Sequence, residues 1–454
     1  MTNVVRWFHH GDMTSTPRPV PPHSTVSHTS TLPASPSANS STSAPSAPAS
    51  APSRRALVVG AGIAGLSAAT ALHRAGWHPE IVERSGQRRR GGYFIMMFGS
   101  GRIAGEHLGI EGIRPRNAED GMSYSFDRRG SRSSAPGFGD LPANPWMMLR
   151  GDVEKAAYEA LPAGVPIRFS TSPVAIVQGP ERTSVTLRDS SDGSERTEDY
   201  DLVVGADGLR STVRRLVWGP HEDYLERVGD MICAFELPEA LPGMQSQDGG
   251  RITEPGRSFT VFPFRDHAPT VLFSYRADDV DAERARAKEI GVAAHLREIY
   301  GPEPLGEMME AALGHLESTD EFLFDSVEQV HVDHWHHGRV VLLGDAAWCP
   351  SLYSGMGATS SLSGADALRV MLERHPESLE KALTAWEAKL REPIEEFQLS
   401  AAPMRSLFTV DTAEEIARRG RTQPVQRFLF SFPPTRAVIA NLPTFRRRDS
   451  DLAV

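Results

Sequence analysis

The chain has 454 residues, of which 40% are hydrophobic and 23% are charged, an ordinary balance for a water-soluble protein of two domains. Its formal net charge of −10 excludes a general attraction to nucleic acid or to an anionic membrane. No apolar run reaches the roughly 18 residues of a membrane span. Cys233 and Cys349 stand far apart without metal-ligand neighbours, which fits a reducing cytoplasm and disfavours a disulfide scaffold or a zinc site.

Residues 1–53 differ in composition from everything that follows. From Thr29 to Ser53 the chain is almost wholly Ser, Thr, Pro and Ala, without charge. Such a segment cannot bury enough apolar surface to offset its chain entropy, so we expect it to be disordered. It lacks the apolar core of a signal peptide. Two interpretations stay open, a dispensable tail (or a start codon assigned too far upstream) and a targeting or partner-binding role.

A buried strand, a glycine-rich turn and a helix come next. Apolar residues 56–59 predict the strand, Gly-Ala-Gly-Ile-Ala-Gly at 60–65 the turn, and residues 66–75 the helix. A second strand, residues 79–82, ends at Glu83, whose carboxylate can accept hydrogen bonds from ribose hydroxyls. The helix N-terminus offers free N–H groups to a phosphate. The whole unit predicts a dinucleotide site, in which three glycines allow the turn, the close approach of a pyrophosphate and close helix packing: Gly60, Gly62 and Gly65.

Two nearby sequences are ambiguous. Residues 99–104 follow an apolar stretch and superficially match a second nucleotide motif, but we expect no helix and no second strand with a terminal acid after them. The basic run Arg88–Arg90 follows Glu83. It is either a solvated surface or a contact to a dinucleotide phosphate.

A second motif lies near the middle of the chain. Residues 184–187 predict a strand, with a turn near Asp192, and residues 200–205 predict another buried strand. That strand ends in Gly-Ala-Asp-Gly, which places Asp207 where it could face a bound ligand. Alone, this sequence could equally be a plain turn.

A third motif begins with residues 339–343, an arginine followed by four apolar residues, which predict a buried strand that delivers Asp345 to its carboxyl end. A glycine-rich loop at 354–357 then opens a helix that runs to about Leu372. A carboxylate in this place can hold the hydroxyls of a sugar-like chain. The helix N-terminus beyond it can stabilise negative charge on a ring.

Between the second and third motifs, residues 231–237, 258–264 and 270–276 predict strands of an antiparallel sheet. These strands supply aromatic side chains, some for the core and others for a ligand, and the sequence does not decide which: Phe259, Phe262, Phe264, Phe273 and Tyr275. After about residue 400 the sequence is helical and contains arginine. We expect it to brace the domains or to cap the substrate entrance.

The three motifs, in this order, resemble the single-component FAD-dependent monooxygenases of the para-hydroxybenzoate hydroxylase type, which include the tetracycline-inactivating monooxygenases. The resemblance covers about residues 54–396. It implies an α/β fold with a Rossmann-like FAD-binding domain, an inserted substrate domain built on an antiparallel β-sheet, and C-terminal helices. The implied boundaries are a disordered tail at 1–53, FAD-binding parts at 54–224 and 331–400, a substrate domain at 225–330 and a C-terminal helical segment at 401–454.

The resemblance also implies contacts to the cofactor. The first three glycines would hold the FAD pyrophosphate, Glu83 the adenosine ribose, and Asp345 the ribityl or pyrophosphate part. The backbone of the glycine loop would lie against the pyrimidine edge of the flavin. The implied cofactor-binding residues are Gly60, Gly62, Gly65, Glu83, Arg84, Arg150, Asp207, Gly208, Asp345, Gly355, Met356, Gly357 and Ala358.

Four positions depart from the family pattern, and one of them is the usual proline before the glycine loop, which is shifted to Pro350. Trp348 stands where the family often has His, and Met356 and Thr359 stand where Gln and Asn are usual. Trp348 could stack on the flavin or on an aromatic substrate, or it could simply pack under the loop.

The implied reaction begins when NADPH or NADH reduces FAD. Dioxygen then adds at C4a, and the hydroperoxide passes one oxygen to an aromatic or polycyclic small molecule. No side chain is identified as catalytic, because the cofactor supplies this chemistry. An FAD-dependent oxidase or dehydrogenase without oxygen insertion stays open, as does a non-catalytic flavoprotein. A flavin halogenase is disfavoured, because the chain has no W-x-W-x-I-P segment.

Overall fold

The structure, a computed structural model, describes residues 54–88, 91–118, 121–141 and 145–431, together with residues 435, 438 and 452–454. The predicted disordered tail, residues 1–53, lies outside the described residues. So do Arg89 and Arg90 of the basic run.

The strands of the described part are β1 Arg55–Val59, β2 His78–Val82, β3 Phe94–Met97, β4 Ser123–Phe126, β5 Arg132–Ser134, β6 Trp146–Leu149, β7 Ile167–Arg168, β8 Thr171–Gln178, β9 Thr183–Asp189, β10 Glu195–Tyr200, β11 Leu202–Gly205, β12 Leu225–Glu236, β13 Gly249–Glu254, β14 Arg257–Phe264, β15 His267–Arg276, β16 Phe322–Val330, β17 His336–His337 and β18 Val340–Leu342.

The α-helices are α1 Ile63–Arg74, α2 Gly99–Leu108, α3 Arg150–Glu159, α4 Thr212–Val217, α5 Val280–Ile290, α6 Val292–Tyr300, α7 Glu307–Leu316, α8 Asp345–Trp348, α9 Gly357–Arg374, α10 Leu379–Arg405 and α11 Ala413–Ser431. Short 3-10 turns occur at Phe138–Asp140, His221–Asp223 and Leu352–Ser354.

A six-stranded sheet in the order β17-β18-β11-β1-β2-β7 carries the three motifs, and its strands are parallel apart from β17. The last residues of the central strands are in register, since Val59 pairs with both Val82 and Gly205, and Gly205 pairs with Leu342. The loops that follow β1, β2, β11 and β18 therefore leave the sheet at one edge. This edge is where a parallel α/β sheet binds its ligand.

A seven-stranded sheet follows the order β16-β12-β15-β14-β13-β4-β5 and is antiparallel except between β13 and β4. The predicted antiparallel sheet is confirmed. Two of its strands, β4 and β5, come from residues 123–134, well before the predicted substrate segment. The domain boundaries given above stay a prediction, and this sheet draws on both sides of the one at residue 225.

The sequence did not decide which aromatic residues of this sheet belong to the core and which face a ligand. In the structure they lie on two opposite faces of the sheet. Phe259, Phe273 and Tyr275 belong to a buried cluster beneath helices α5 to α7. Phe262 and Phe264 lie on the opposite face, in a second cluster that also contains Tyr353 and Phe408. Only the second face is turned toward the parallel sheet's ligand edge.

Helix α10 and its last residue, Arg405, brace the molecule, which is one of the two roles expected for the sequence after about residue 400. The Gln398 side chain of α10 donates to two carbonyl oxygens. One belongs to Val330 at the end of β16 in the seven-stranded sheet (2.7 Å), and the other to Trp348 at the end of α8, which follows β18 of the six-stranded sheet (3.0 Å). Arg405, the last residue of α10, pairs with the fully buried Asp230 on β12. In the part of the chain that the structure describes, no helix has both the length and the apolar character needed to cross a membrane.

The expectation that no helix follows the second glycine sequence is wrong. Helix α2 begins at Gly99, directly after β3. However, β3 pairs antiparallel with β6 in a separate two-stranded sheet. A Cβ atom at Gly101 would lie 2.9 Å from the Cα atom of Thr359, so this glycine serves the packing of α2 against α9.

Candidate active site

The first glycine loop is shaped by two positions that no other residue can occupy. Gly60 has a φ of +105°, and a Cβ atom there would lie 2.5 Å from the carbonyl oxygen of Ala206. A Cβ atom at Gly65 would overlap the carbonyl oxygen of Gly60. Gly62 differs, because the one atom within 4 Å of its added Cβ is a guanidinium nitrogen of Arg150, at 3.9 Å. The loop is thus held tightly on the protein side and is open on the side of Gly62.

A cavity of about 180 Å³ lies outside this loop, between the ends of β1, β2 and β11. Glu83 lies in its wall. One carboxylate oxygen of Glu83 accepts from the N–H of Ala61 and the other from the N–H of Ser85, both at 2.9 Å. Each oxygen keeps a further lone pair for a hydroxyl donor. Arg84 and Gly208 also line this cavity.

Two arginines of this cavity differ in their partners. Arg88 pairs with the buried Glu154 at 2.8 Å and stacks on the ring of Tyr158, so its charge is already used by the protein. Arg150 begins α3 and lines both this cavity and a larger neighbour. No acidic partner of its guanidinium occurs among the described residues. A cation beside Gly62 and the N-terminus of α1 suits a pyrophosphate.

Asp207 lies at the predicted strand end, and its carboxylate is occupied by the protein. It accepts from the hydroxyl of Ser211 at 2.5 Å and from the N–H groups of Thr212 (2.6 Å) and Val213 (3.2 Å) at the start of α4. Burial raises the pKa of Asp207, although these donors oppose the shift. Asp207 lines the smaller cavity while it caps a helix, a role that the motif alone did not reveal.

Asp345 begins the short helix α8 at the end of β18 and lines the larger cavity. Burial raises its pKa above the ordinary value, opposed by the thiol of Cys349 and by the charge of Arg150. An Asp345 oxygen lies 3.8 Å from the Cβ position of Gly357, the first residue of α9. The carboxylate and the N-terminus of an 18-residue helix therefore meet at one wall.

The glycine loop itself presents its backbone to the larger cavity. Gly355, with a φ of +68°, Gly357 and Ala358 line this cavity. The side chain of Met356 is fully buried, and its N–H donates to the hydroxyl of Ser354 at 3.1 Å. Met356 thus faces the core rather than the cavity.

The larger cavity has a volume of about 370 Å³ and extends from the glycine loop to the face of the seven-stranded sheet opposite helices α5 to α7. Three aromatic side chains form one wall of this cavity, Phe94, Phe262 and Phe408, and the sequence predicted a possible ligand contact for Phe262 alone. The rings of Phe94 and Phe262 stack with their centroids 4.0 Å apart, and Phe408, from the segment after α10, lines the same space. Phe94 and Phe408 are distant from Phe262 in sequence, so only the fold brings them together.

A charged cluster closes the cavity on the side of β16. Arg210 binds both oxygens of Asp325 at 2.8 Å, and Arg284 binds Asp325 at 2.7 Å and Glu328 at 3.2 Å. Burial would raise the pKa of Asp325, but the two arginines outweigh it and lower that pKa. The cluster joins the loop after β11 to the seven-stranded sheet, and no local sequence pattern predicts it.

Trp348 packs under the loop, the second of the two interpretations. It is 1% exposed, its indole N–H donates to the hydroxyl of Ser360 at 3.2 Å, and its ring centroid lies 4.6 Å from that of Trp335 and 5.8 Å from that of Trp386. It is not among the residues that line either cavity described above. Cys233 and Cys349 are buried free thiols, and the described residues contain no cluster of three groups that could hold a metal ion.

Four features of this site fit a bound FAD. The parallel strands end at one edge, the glycine loop is open at Gly62, Arg150 has no acidic partner among the described residues, and the apolar cavity is large enough for a ring system. The family model for the FAD binding domain matches residues 142–375, more than half of the chain, and the chain belongs to this family. It is an FAD-dependent oxidoreductase of the flavin monooxygenase group.

Individual relatives agree with this class. A flavin-dependent monooxygenase of Legionella longbeachae is 27% identical over 374 residues, which cover 80% of this chain and 92% of the relative. An FAD-dependent monooxygenase of Sarocladium schorii is 29% identical over 372 residues, covering 74% and 84%. Among solved structures, the tetracycline destructase Tet(51) is similar with a TM-score of 0.67 and 26% identity, covering 83% of this chain and 97% of the destructase.

Proposed function

We propose that this protein uses NADPH or NADH and dioxygen to insert one oxygen atom into an aromatic or polycyclic small molecule. The observation that carries the proposal is the larger cavity. It runs from the N-terminus of α9 to a wall of Phe94, Phe262 and Phe408, so a flavin ring and an aromatic substrate would share one space. The tetracycline destructase, a similar protein, makes a polycyclic substrate a natural hypothesis.

We place FAD across the two cavities, which meet at Gly62 and Arg150. The adenosine would lie in the smaller cavity with its ribose at Glu83, beside Arg84. The pyrophosphate would lie at Gly62, where the backbone is open and Arg150 supplies positive charge. The ribityl chain would meet Asp345, and the ring would face the glycine loop.

In this arrangement each residue has a limited task. When bound, FAD supplies the hydride acceptor and activates dioxygen. The N–H groups at the start of α9 would stabilise negative charge on the ring's pyrimidine edge, since the 18-residue helix directs its positive end there. The aromatic wall would orient the substrate by stacking and exclude water from the reacting atoms.

The acidic groups of the cavity do not form a general acid–base pair. Asp325 and Glu328 are held by Arg210 and Arg284, which keep the pKa of Asp325 low. Asp345, the third acidic residue of this cavity, is assigned above to the ribityl chain. In the smaller cavity, Asp207 is held by the N-terminus of α4. We therefore assign no catalytic side chain and attribute rate acceleration to position and electrostatics.

Purified protein loaded with FAD tests this proposal against a library of mono- and polycyclic aromatic compounds. The expected result is that at least one compound stimulates NAD(P)H oxidation and gains one oxygen atom by mass. Hydrogen peroxide is measured in the same samples. Stimulated oxidation in which all consumed dioxygen appears as peroxide, with no oxygenated product, would instead identify an oxidase.

A further inference from the structure

Among the described residues, two sulfur-containing side chains line the larger cavity, Met96 on β3 and Cys349 directly after α8. Both residues are buried, so this cavity is the space from which a small molecule can reach them. The cavity is also the space in which a bound flavin ring meets dioxygen. The two side chains are therefore the places where an oxidant formed at the flavin first encounters sulfur.

Cys349 is held in an unreactive form. Burial, and next to it the negative charge of Asp345, raises the pKa of the Cys349 thiol well above its ordinary value. The thiol donates to the carbonyl oxygen of Glu328 at 3.7 Å. Peroxides react with the thiolate and only slowly with the thiol, so a cysteine that keeps its proton is protected.

Met96 has no such protection, because a thioether reacts through its sulfur lone pair and needs no deprotonation. Its neighbour Met97 differs. Met97 is fully buried, its sulfur accepts from the hydroxyl of Thr359 at 3.6 Å, and it is not among the residues that line the larger cavity. Two consecutive methionines thus have opposite access to an oxidant in this cavity.

Met96 also contacts the glycine loop. A Cβ atom at Gly355 would lie 2.5 Å from the Cε methyl group of Met96, so this methyl group fills the space that a side chain at position 355 would need. Oxidation would add an oxygen atom to the sulfur beside that methyl group and make the side chain polar. A buried polar oxygen without a donor is costly, and a tightly packed contact has no room for it. The glycine loop would have to move.

We propose that Met96 is a self-oxidation site. Hydrogen peroxide formed in the larger cavity converts Met96 into methionine sulfoxide, and the displaced glycine loop then binds the flavin ring less tightly. The inference goes beyond the proposed function, because it needs reduced FAD and dioxygen but no oxygen insertion into a substrate.

The chemistry balances in two steps. Reduced FAD passes two electrons and two protons to dioxygen, which gives oxidised FAD and hydrogen peroxide. The sulfur lone pair of Met96 then attacks one peroxide oxygen, and a sulfur–oxygen bond forms as the oxygen–oxygen bond breaks. The leaving hydroxide takes the proton of the transferred oxygen and departs as water. Sulfur is oxidised by two electrons and the peroxide is reduced by two.

The modification acts as feedback on unproductive turnover. Protein that releases peroxide instead of an oxygenated product loses its cofactor and stops. Methionine sulfoxide is reduced by methionine sulfoxide reductases, so the loss is reversible.

The first test maps the modification. FAD-loaded full chain is photoreduced with EDTA and light and re-oxidised with air over repeated cycles, with catalase present to remove peroxide that escapes into the solvent. Trypsin releases residues 91–102 as one peptide that contains both Met96 and Met97, and tandem mass spectrometry locates the added oxygen. Sulfoxide at Met96 should exceed sulfoxide at Met97 by about fivefold or more.

Met122 supplies the solvent control, because its side chain is 38% exposed. During the cycles it should stay less oxidised than Met96. Hydrogen peroxide added in the dark to FAD-loaded protein, without reduction and without catalase, should oxidise Met122 first. Equal oxidation of Met96 and Met97 during the cycles, or faster oxidation of Met122 than of Met96, would overturn the proposal.

The second test measures the consequence for the cofactor. Apoprotein prepared from cycled wild type should bind FAD with a Kd raised about fivefold or more, and treatment with methionine sulfoxide reductases should restore the original Kd. Met96→Leu keeps an apolar side chain of similar volume that cannot be oxidised, so its Kd should be the same before and after the cycles. Met97→Leu is the matched control and should lose affinity as the wild type does.

An unchanged Kd in wild type that carries the sulfoxide at Met96, or a Met96→Leu variant that loses affinity during the cycles, would contradict the link to FAD. The mapping uses the wild type and does not depend on either variant. It also separates this inference from the proposed function. Sulfoxide at Met96 in a protein that oxygenates no compound would leave the self-oxidation site standing and contradict the monooxygenase function. An oxygenated product from a protein whose Met96 stays unmodified during the cycles would do the reverse.

Discussion

Replacing Asp345 with Ala should weaken FAD binding while it stabilises the empty protein. If Asp345 binds the cofactor as proposed, its carboxylate accepts hydrogen bonds from the cofactor's hydroxyl groups, and loss of a charged hydrogen-bond partner costs about 1.5–3 kcal/mol. That loss corresponds to a rise in Kd of roughly ten- to a hundredfold. In the apoprotein the same carboxylate is buried against Cys349 without a hydroxyl donor, and burial raises its pKa.

The pH dependence of apoprotein stability follows from the direction of that shift. A raised pKa means that the folded state binds the proton more tightly than the unfolded state does. The free energy of unfolding therefore falls as the pH rises from the ordinary aspartate value of 3.8 through the raised value. Asp345→Ala removes this site's contribution, so the variant apoprotein should lose less stability over that interval.

Two measurements check these expectations. Titration of apoprotein with FAD, followed by flavin fluorescence, gives the Kd, and urea unfolding at a series of pH values gives the stability. Asp333→Asn is the control, because Asp333 is exposed on the segment before β17, and it should change neither quantity. If Asp345→Ala binds FAD as tightly as the wild type, the assignment of Asp345 to the cofactor is wrong.

Three further substitutions test other parts of the site. Gly62→Asp should give a folded apoprotein that cannot be reconstituted with FAD, whereas Gly65→Ala should prevent folding because its Cβ overlaps the oxygen of Gly60. Circular dichroism reports whether each variant folds, and flavin absorbance reports whether it binds FAD. A yellow Gly62→Asp protein would contradict the phosphate site. Arg150→Gln should raise the Kd for FAD about tenfold and flatten its salt dependence, and an unchanged salt dependence would count against a pyrophosphate contact. Asp230→Asn should lower the free energy of unfolding by about 3 kcal/mol, because Arg405 loses its buried partner, and a stability equal to the wild type would refute the bracing role of α10.

The sequence predicted the ligand edge well, because its signals are local. An apolar run followed by glycines specifies a buried strand and a turn within ten residues, and β1 and α1 lie close to the positions expected. Parallel pairing then brings Glu83 and Asp345 to the same edge without further information. The cofactor contacts of these residues stay predictions, which the substitutions above test.

The substrate side could not be predicted, because it depends on long-range pairing. Strand β13 has a weak pattern, Gly-Gly-Arg-Ile-Thr-Glu, and only its pairing with β4 and β14 places Arg251 beside Phe138. The alternation of side chains along β14 does not show which face of the sheet Phe262 occupies. The structure decides it, because helices α5 to α7 cover the opposite face. Trp348 likewise joins Trp335 and Trp386 from separate segments.

The most direct test of the central claim follows the fate of oxygen. FAD-loaded protein is incubated with NADPH or NADH and with the library of mono- and polycyclic aromatic compounds under oxygen-18 gas, and products are analysed by mass spectrometry. We expect a product that carries one atom of the isotope, formed in proportion to the nicotinamide cofactor consumed. Consumption of the nicotinamide cofactor with all of the isotope recovered as hydrogen peroxide, and none in any organic product, would contradict it.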